Sequence, residues 1–195
     1  RYKLHVTATR YKLHATSYTL HATCHKVAAA PPPLPADATP QQRHNLILAE
    51  VPAVKGAGIV LLHNHGAWLA RMMEKREILA DFGGKREKKE TAWEMACREC
   101  KEEGHLDLSE TLLTSPRQVL VCSKDYVVFF VPVDAAPQKT KDTKILGFTH
   151  VTRPPPADDL HTRLYEKYNS GFLRRLGEHL HLATRLSQSP IKEDD

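Results

Sequence analysis

The chain predicts an α/β fold: a mixed β-sheet sandwiched between helices. Three observations carry this. Short apolar runs of strand length lie on both sides of one well-marked amphipathic helix. That helix has a narrow apolar stripe and a charged opposite face. Near the C-terminus, apolar residues recur every fourth position, as a closing helix requires. With 195 residues and 41% hydrophobic content, the chain is long enough for one domain around a single core.

Taken in order, residues 1–40 form a low-complexity basic tail and linker. Arg1-Tyr2-Lys3-Leu4-His5 and Arg10-Tyr11-Lys12-Leu13-His14 are near-copies, Thr19-Leu20-His21-Ala22-Thr23 echoes them, and Pro31-Pro32-Pro33 follows. Imperfect repeats this short suit an unstructured extension rather than a repeat fold. His5, His14, His21 and His25 there are read as incidental, not as a metal site. The leader is basic and Thr-rich, with no acid before Asp37, so organelle targeting is a second reading beside a cytoplasmic one. Its Arg1, Lys3, Arg10, Lys12 and Lys26 account for the whole formal charge of +5. The rest of the chain is neutral, which argues against a nucleic-acid groove in the domain.

Residues 41–187 are the expected domain, and 188–195 a polar tail. Leu46-Ile47-Leu48 reads as a first strand and Gly58-Ile59-Val60-Leu61-Leu62 as a second, which turns at His63-Asn64-His65-Gly66 into the run from Ala67 to Met72. Ile78-Leu79-Ala80 leads to a glycine loop, Asp81-Phe82-Gly83-Gly84-Lys85, where glycine lets backbone approach a ligand. The helix follows. Val119 to Cys122 and Tyr126 to Val133 form a hairpin around Ser123-Lys124-Asp125, and a last strand runs from Ile145 to Val151. Leu160, Leu164, Tyr168, Phe172, Leu176 and Leu180 mark the closing helix, with a break near Asn169-Ser170-Gly171. No apolar stretch approaches the roughly 18 residues a membrane-spanning helix needs.

In the central helix Trp93, Ala96, Cys97 and Cys100 make the apolar stripe, and Glu99, Glu102 and Glu103 fall at i, i+3 and i+4 on the neighbouring arc. Like charges at those spacings repel by a few tenths of a kcal/mol per pair. A divalent cation neutralises them, and hard cations such as Mg²⁺ favour carboxylates together with substrate phosphates. That combination points to phosphate-ester or diphosphate chemistry.

Between residues 84 and 106 the chain resembles the Nudix box, matching in register at Gly84, Glu90, Arg98, Glu99, Glu102, Glu103 and Leu106. Six fixed identities at set spacing arise by chance on the order of once in 10⁵ such sequences. The departures are His105 where the family has a second glycine, and Cys100 where an aliphatic residue is usual. Gly104 is expected to supply the left-handed helix stop one place early. The resemblance implies a Nudix-like α/β/α sandwich and a hydrolase that cleaves a diphosphate linkage in a nucleoside-diphosphate-linked substrate. It implies Glu99, Glu102 and Glu103 as ligands for Mg²⁺ or Mn²⁺, helped by the Gly83-Gly84-Lys85 bend and the Gly83 carbonyl. It pairs Glu90 with Arg98, and makes Glu102 or Glu103 the base that takes the proton of an attacking water. The partners implied are small nucleotide-type molecules, with capped RNA as a further option. The rival reading is a catalytically weakened module that binds nucleotide or RNA on the same fold.

Other motifs are read conservatively. Asp81-Phe82-Gly83 lacks the companion motifs of a kinase. His63-Asn64-His65 is taken as a surface turn, and Cys97-x-x-Cys100, without a second pair, as reduced core thiols. Lys139, Lys141 and Lys144 are read as a solvated loop before phosphate contacts, Asp142 as a weaker candidate for an extra metal ligand, and Trp68, Tyr126 and Phe148 as core before base-stacking residues.

Overall fold

A computed structural model describes residues 37–87, 89–139, 144–164 and 171–187, with side chains in the last segment described to His181. The repetitive tail, Lys141, Asp142, Tyr168 and the C-terminal tail lie outside these.

The first element corrects an expectation. Leu46-Ile47-Leu48 belongs to helix α1, Pro40–Ala49. The deciding signal lies upstream: Thr39 and Gln42 form a reciprocal capping box, with the Gln42 N–H donating to Thr39 Oγ1 (3.3 Å) and the Thr39 N–H to Gln42 Oε1 (2.9 Å). Pro40 sits at the first turn, where its missing N–H costs nothing. A run of three apolar residues has too little periodicity to outweigh those caps; only Ile47 of the three is buried.

Seven strands make one mixed sheet: β1 Gly56–His63, β2 Gly66–Met73, β3 Glu77–Ala80, β4 Phe82–Lys85, β5 Val119–Ser123, β6 Tyr126–Pro132 and β7 Ile145–Val151. β1 runs parallel to β6 from the pair Gly56–Tyr126 to Leu62–Pro132, and the other pairings are antiparallel. The β1–β2 turn has positive φ at Asn64 (43°) and His65 (61°), the backbone a two-residue hairpin with right-handed twist demands. β3 pairs with the far half of β2, whereas β4 pairs with the near half of β1. The chain therefore changes partner at Asp81, between them.

Both sheet faces are covered, so β1 and β6 are buried almost end to end rather than alternating with polar residues. Ala57, Ile59 and Leu61 of β1 and Val127, Phe129 and Val131 of β6 face one side. There they pack on Ile47 of α1 and on Trp93, Ala96, Cys97 and Cys100 of helix α2, Ala92–Gly104. Val60, Val128 and Phe130 face the other side, against Leu160, Leu164 and Phe172, Leu176 and Leu180 of helix α3, Gly171–Ser187. The four-residue spacing thus locates a shared packing surface, although the helix itself starts at Gly171, after the first two leucines. Trp93 meets Phe129 edge to face at 5.1 Å; truncating either ring to Ala costs about 3–5 kcal/mol. No helix among the described residues is long and apolar enough to cross a membrane.

Candidate metal and phosphate site

The expected glycine loop is a strand. Gly83 and Gly84 lie in β4, opposite Gly58 and Ala57 of β1, and neither has a positive φ. What forbids a side chain is close approach. A Cβ on Gly84 would stand 2.2 Å from Glu99 Oε1; one on Gly83 would meet Gly58 Cα and the Tyr126 hydroxyl, each at 2.5 Å. Gly84 is therefore bare so that the Glu99 carboxylate rests on the backbone, while Gly83 is bare for reasons internal to the fold. Lys85 ends the strand, and its carbonyl accepts from Arg98 Nη2 at 3.2 Å.

α2 delivers the acids. Thr91 and Glu94 cap it with a second reciprocal box, which fixes the helix start and so the direction of every later side chain. Arg98 donates from Nε to Glu90 Oε1 (2.7 Å) and from Nη2 to Glu90 Oε2 (3.2 Å), closing the pair predicted from the box. Its Nη1 donates to Glu99 Oε1 (2.9 Å) and to Glu102 Oε2 (3.2 Å). Glu102 is the open member, its side chain 58% exposed against 14% for Glu99. Glu103, only 6% exposed, turns away from that pair and accepts the Gly83 N–H at Oε2, 2.9 Å.

The three carboxylates share a helix face without converging on one point: two meet at a guanidinium and the third is tied to β4. Among the described residues, no group of three His, Cys, Asp or Glu side chains is gathered closely enough to hold a metal ion. The donor set nevertheless suits a hard cation. It is all oxygen, and the Glu99 carboxylate lies over a bare backbone cradle. Its charge is also under-compensated: burial pushes the Glu99 carboxyl upward, and burial aided by Asp81 and Glu99 pushes Glu103 to about 8 despite Arg163.

The helix exit departs from expectation. Gly104 is the last helical residue, and His105 itself takes the left-handed conformation (φ 55°, ψ 25°), donating its N–H to the Lys101 carbonyl at 3.2 Å. The stop therefore falls where the box places its glycine, with no shift of one residue. Gly104 serves differently: its carbonyl accepts the Gln138 N–H (3.0 Å), and a Cβ there would press on Phe82 at 3.0 Å.

The remaining candidates are placed as follows. Tyr126 is buried with its hydroxyl on Asp81, Phe148 packs on Phe82 at 5.4 Å, and Trp68 is partly buried against His150 at 4.8 Å. Cys97 and Cys100 are buried free thiols, Cys97 pushed up to about 12 by desolvation and Cys100 higher still, so neither is a nucleophile at neutral pH. Asn64 and His65 are exposed, and His63 lies against the Val133 carbonyl through Nδ1 (3.2 Å). Lys139 and Lys144 are exposed.

Sequence reasoning missed a buried polar assembly beneath the box. Asp81, with no exposed surface, accepts from the Tyr126 hydroxyl at Oδ2 (2.7 Å) and from Arg163 Nε at Oδ1 (2.8 Å). The only local hint is an acid embedded in the apolar run from Ile78 to Phe82.

No protein-family model and no curated protein matches the chain. Among solved structures, the chain is similar to a NUDIX-family hydrolase from Clostridium perfringens, with 15% identity, TM-score 0.45, and coverage of 68% of this chain and 99% of that one. It is also similar to a C. elegans Ap4A hydrolase (16% identity, TM-score 0.45, 66% and 98% covered) and to an ADP-ribose pyrophosphatase from Streptococcus suis (14%, 0.40, 69% and 91%). These are similarities of chain path. The seven-stranded mixed sheet, with α2 on one face and α3 on the other, is itself the α/β/α sandwich that the box implies.

Proposed function

We propose that this protein is a Nudix-type hydrolase that uses a divalent cation, Mg²⁺ or Mn²⁺, to cleave the diphosphate linkage of a nucleoside-diphosphate-linked small molecule. The observation that carries this reading is the pairing of Glu99 and Glu102 around one cationic group, beside the Gly84 cradle and in the register of the box. Glu99, Glu102 and Glu103 are the residues that would hold the ion. When bound, the ion supplies charge neutralisation at the phosphoryl oxygens and acidifies a water for attack on phosphorus.

The chain's own residues do the rest. Arg98, anchored by Glu90, keeps Glu99 and Glu102 side by side and limits their mutual repulsion. Glu99, packed on Gly84, is held in one direction. Glu102, the most exposed of the three carboxylates, would take the proton of an attacking water when the ion leaves it uncoordinated. Glu103 ties the helix to β4 through the Gly83 N–H, so the acids and the strand move as one unit.

A second reading is favoured by Arg98 Nη1 standing between Glu99 and Glu102: a fold that binds nucleotide or RNA with little turnover. One panel separates the two. Nucleotide sugars, dinucleoside polyphosphates, damaged nucleoside triphosphates and capped RNA are offered with Mg²⁺ or Mn²⁺, and phosphate-containing products are measured, with Glu102→Gln as control. Hydrolysis of at least one member, lost in Glu102→Gln, supports the enzyme. Binding of several members with no product supports the module.

A further inference from the structure

Asp81 lies where the chain leaves β3 for β4, and the box gives it no role. It is the most buried acid among the described residues, with no exposed surface, and its partners come from distant parts of the chain. Arg163 Nε donates to Asp81 Oδ1 (2.8 Å) while Arg163 Nη2 donates to the Asp81 carbonyl (3.0 Å), so one guanidinium fork grips both side chain and backbone of the same residue. The Tyr126 hydroxyl takes the other carboxylate oxygen (2.7 Å), and the Arg163 guanidinium lies over the Tyr126 ring at 5.5 Å.

The backbone has been cleared for this assembly. A Cβ on Gly58 would stand 1.9 Å from Asp81 Oδ2, and one on Gly83 would stand 2.5 Å from the Tyr126 oxygen. Gly58 and Gly83 are register partners across β1 and β4. Both glycines make room for the Asp81 and Tyr126 side chains, and Gly83 then presents its N–H to Glu103 (2.9 Å).

We propose that Arg163 is a positioning residue for the box: its fork on Asp81 fixes the β3–β4 corner so that Gly83 and Glu103 meet. Arg163 touches neither substrate nor metal in this scheme; it acts through Asp81 and the two residues that follow. The inference rests on the metal-dependent reading above and names a determinant of that site outside the box.

The test uses the full chain and Mn²⁺ alone as probe, with Kd read by electron paramagnetic resonance, and kcat and KM read on whichever panel member the wild type hydrolyses. Arg163→Lys keeps the charge but cannot bridge side chain and carbonyl together. It is expected to raise the Mn²⁺ Kd about tenfold and lower kcat about tenfold with KM within about twofold, the range typical of residues that orient metal ligands. Tyr126→Phe, which keeps the ring under Arg163, is expected to move Kd and kcat in the same directions by about threefold. Arg174→Lys, at an exposed arginine bonded to Glu178 through Nη1 alone, serves as the control and leaves both unchanged. A merely structural role predicts lower melting temperatures with Kd and kcat unmoved.

Arg163→Lys that is folded by circular dichroism yet has wild-type Kd and kcat overturns the inference. Should that variant not fold, wild-type Kd and kcat in Tyr126→Phe overturn it instead. A wild type that neither takes up Mn²⁺ nor hydrolyses the panel overturns the metal-dependent reading, and this inference with it. A working wild type with unaffected variants overturns this inference alone.

Discussion

Arg98 grips Glu90 through two roughly parallel hydrogen bonds, Nε to Oε1 at 2.7 Å and Nη2 to Oε2 at 3.2 Å, and spends its remaining nitrogen on Glu99 and Glu102. The loop before α2 and the acids on its exposed arc are therefore one hydrogen-bonded unit.

Arg98→Lys is expected to break that unit while keeping the charge. An ammonium cannot hold Glu90 with two bonds and also reach Glu99 and Glu102. Turnover should fall by about tenfold or more, and stability by about 1–3 kcal/mol for the lost charge-assisted bonds. Urea melts and steady-state kinetics on the hydrolysed panel member check this, and wild-type values in both would refute the role.

Gly84→Ala should damage the site while sparing the fold. The new methyl would stand 2.2 Å from Glu99 Oε1, and the free end of that side chain is what yields. Expected outcomes are an unchanged far-ultraviolet spectrum, Mn²⁺ affinity weakened by about 10–100-fold, and a matching loss of kcat. Titration with Mn²⁺ decides it; unchanged affinity would show that Glu99 holds no ion.

His105→Gly should stabilise. A non-glycine residue in the left-handed region costs about 1–2 kcal/mol, partly offset by the extra freedom glycine gains when unfolded. A net gain of about 0.5–1 kcal/mol corresponds to a melting temperature higher by about 1–4 °C in a domain this size. His105→Val should move it the other way.

The contribution of His44 to stability should be lost on the acid side of neutrality, against the opposite slope from the raised Glu103 carboxyl. Buried His44 accepts the Leu113 N–H at Nδ1 (2.9 Å) and packs edge-on to Trp93 at 5.7 Å, and burial holds its imidazole below 6.5. The unfolded chain takes up that proton at higher pH than the folded one does. The contribution is therefore complete above about 6.5 and is lost as pH falls from there towards the folded value. His161 and His179 are lowered in the same sense, mainly by burial. His44→Gln keeps an acceptor for Leu113, and should flatten the slope of urea stability between about pH 6.5 and 5 by a fraction of one proton without abolishing it. An identical slope would clear His44.

Most of the sheet and the whole of α2 were legible because their signals are local. The strands β1, β2, β6 and β7 are apolar runs bounded by turn residues, and α2 carries both cap and stripe. α1 departs from the expected strand because its cap, Thr39 with Gln42, lies outside the apolar run Leu46-Ile47-Leu48. β4 departs from the expected loop because glycine is depleted in strands; the reason for Gly83 and Gly84 is the bulk of Tyr126 and Glu99, which lie far along the chain from the strand. The same holds for Arg163, whose bond to Asp81 spans 82 positions. Box spacing singles out Glu90, Arg98, Glu99, Glu102 and Glu103, but that Glu102 is exposed and Glu103 buried depends on what lies beneath the helix.

The parallel run of β1 beside β6 also sets an order of assembly. When a ribosome has released the chain only as far as α2, the complete box has emerged, yet β1 still has one side unzipped and Asp81 has neither Tyr126 nor Arg163 to receive it. The corner that carries Asp81 must wait for segments translated much later, and a premature stop anywhere before residue 126 would leave β1 without β6 and the Asp81 carboxylate without its hydroxyl and guanidinium donors.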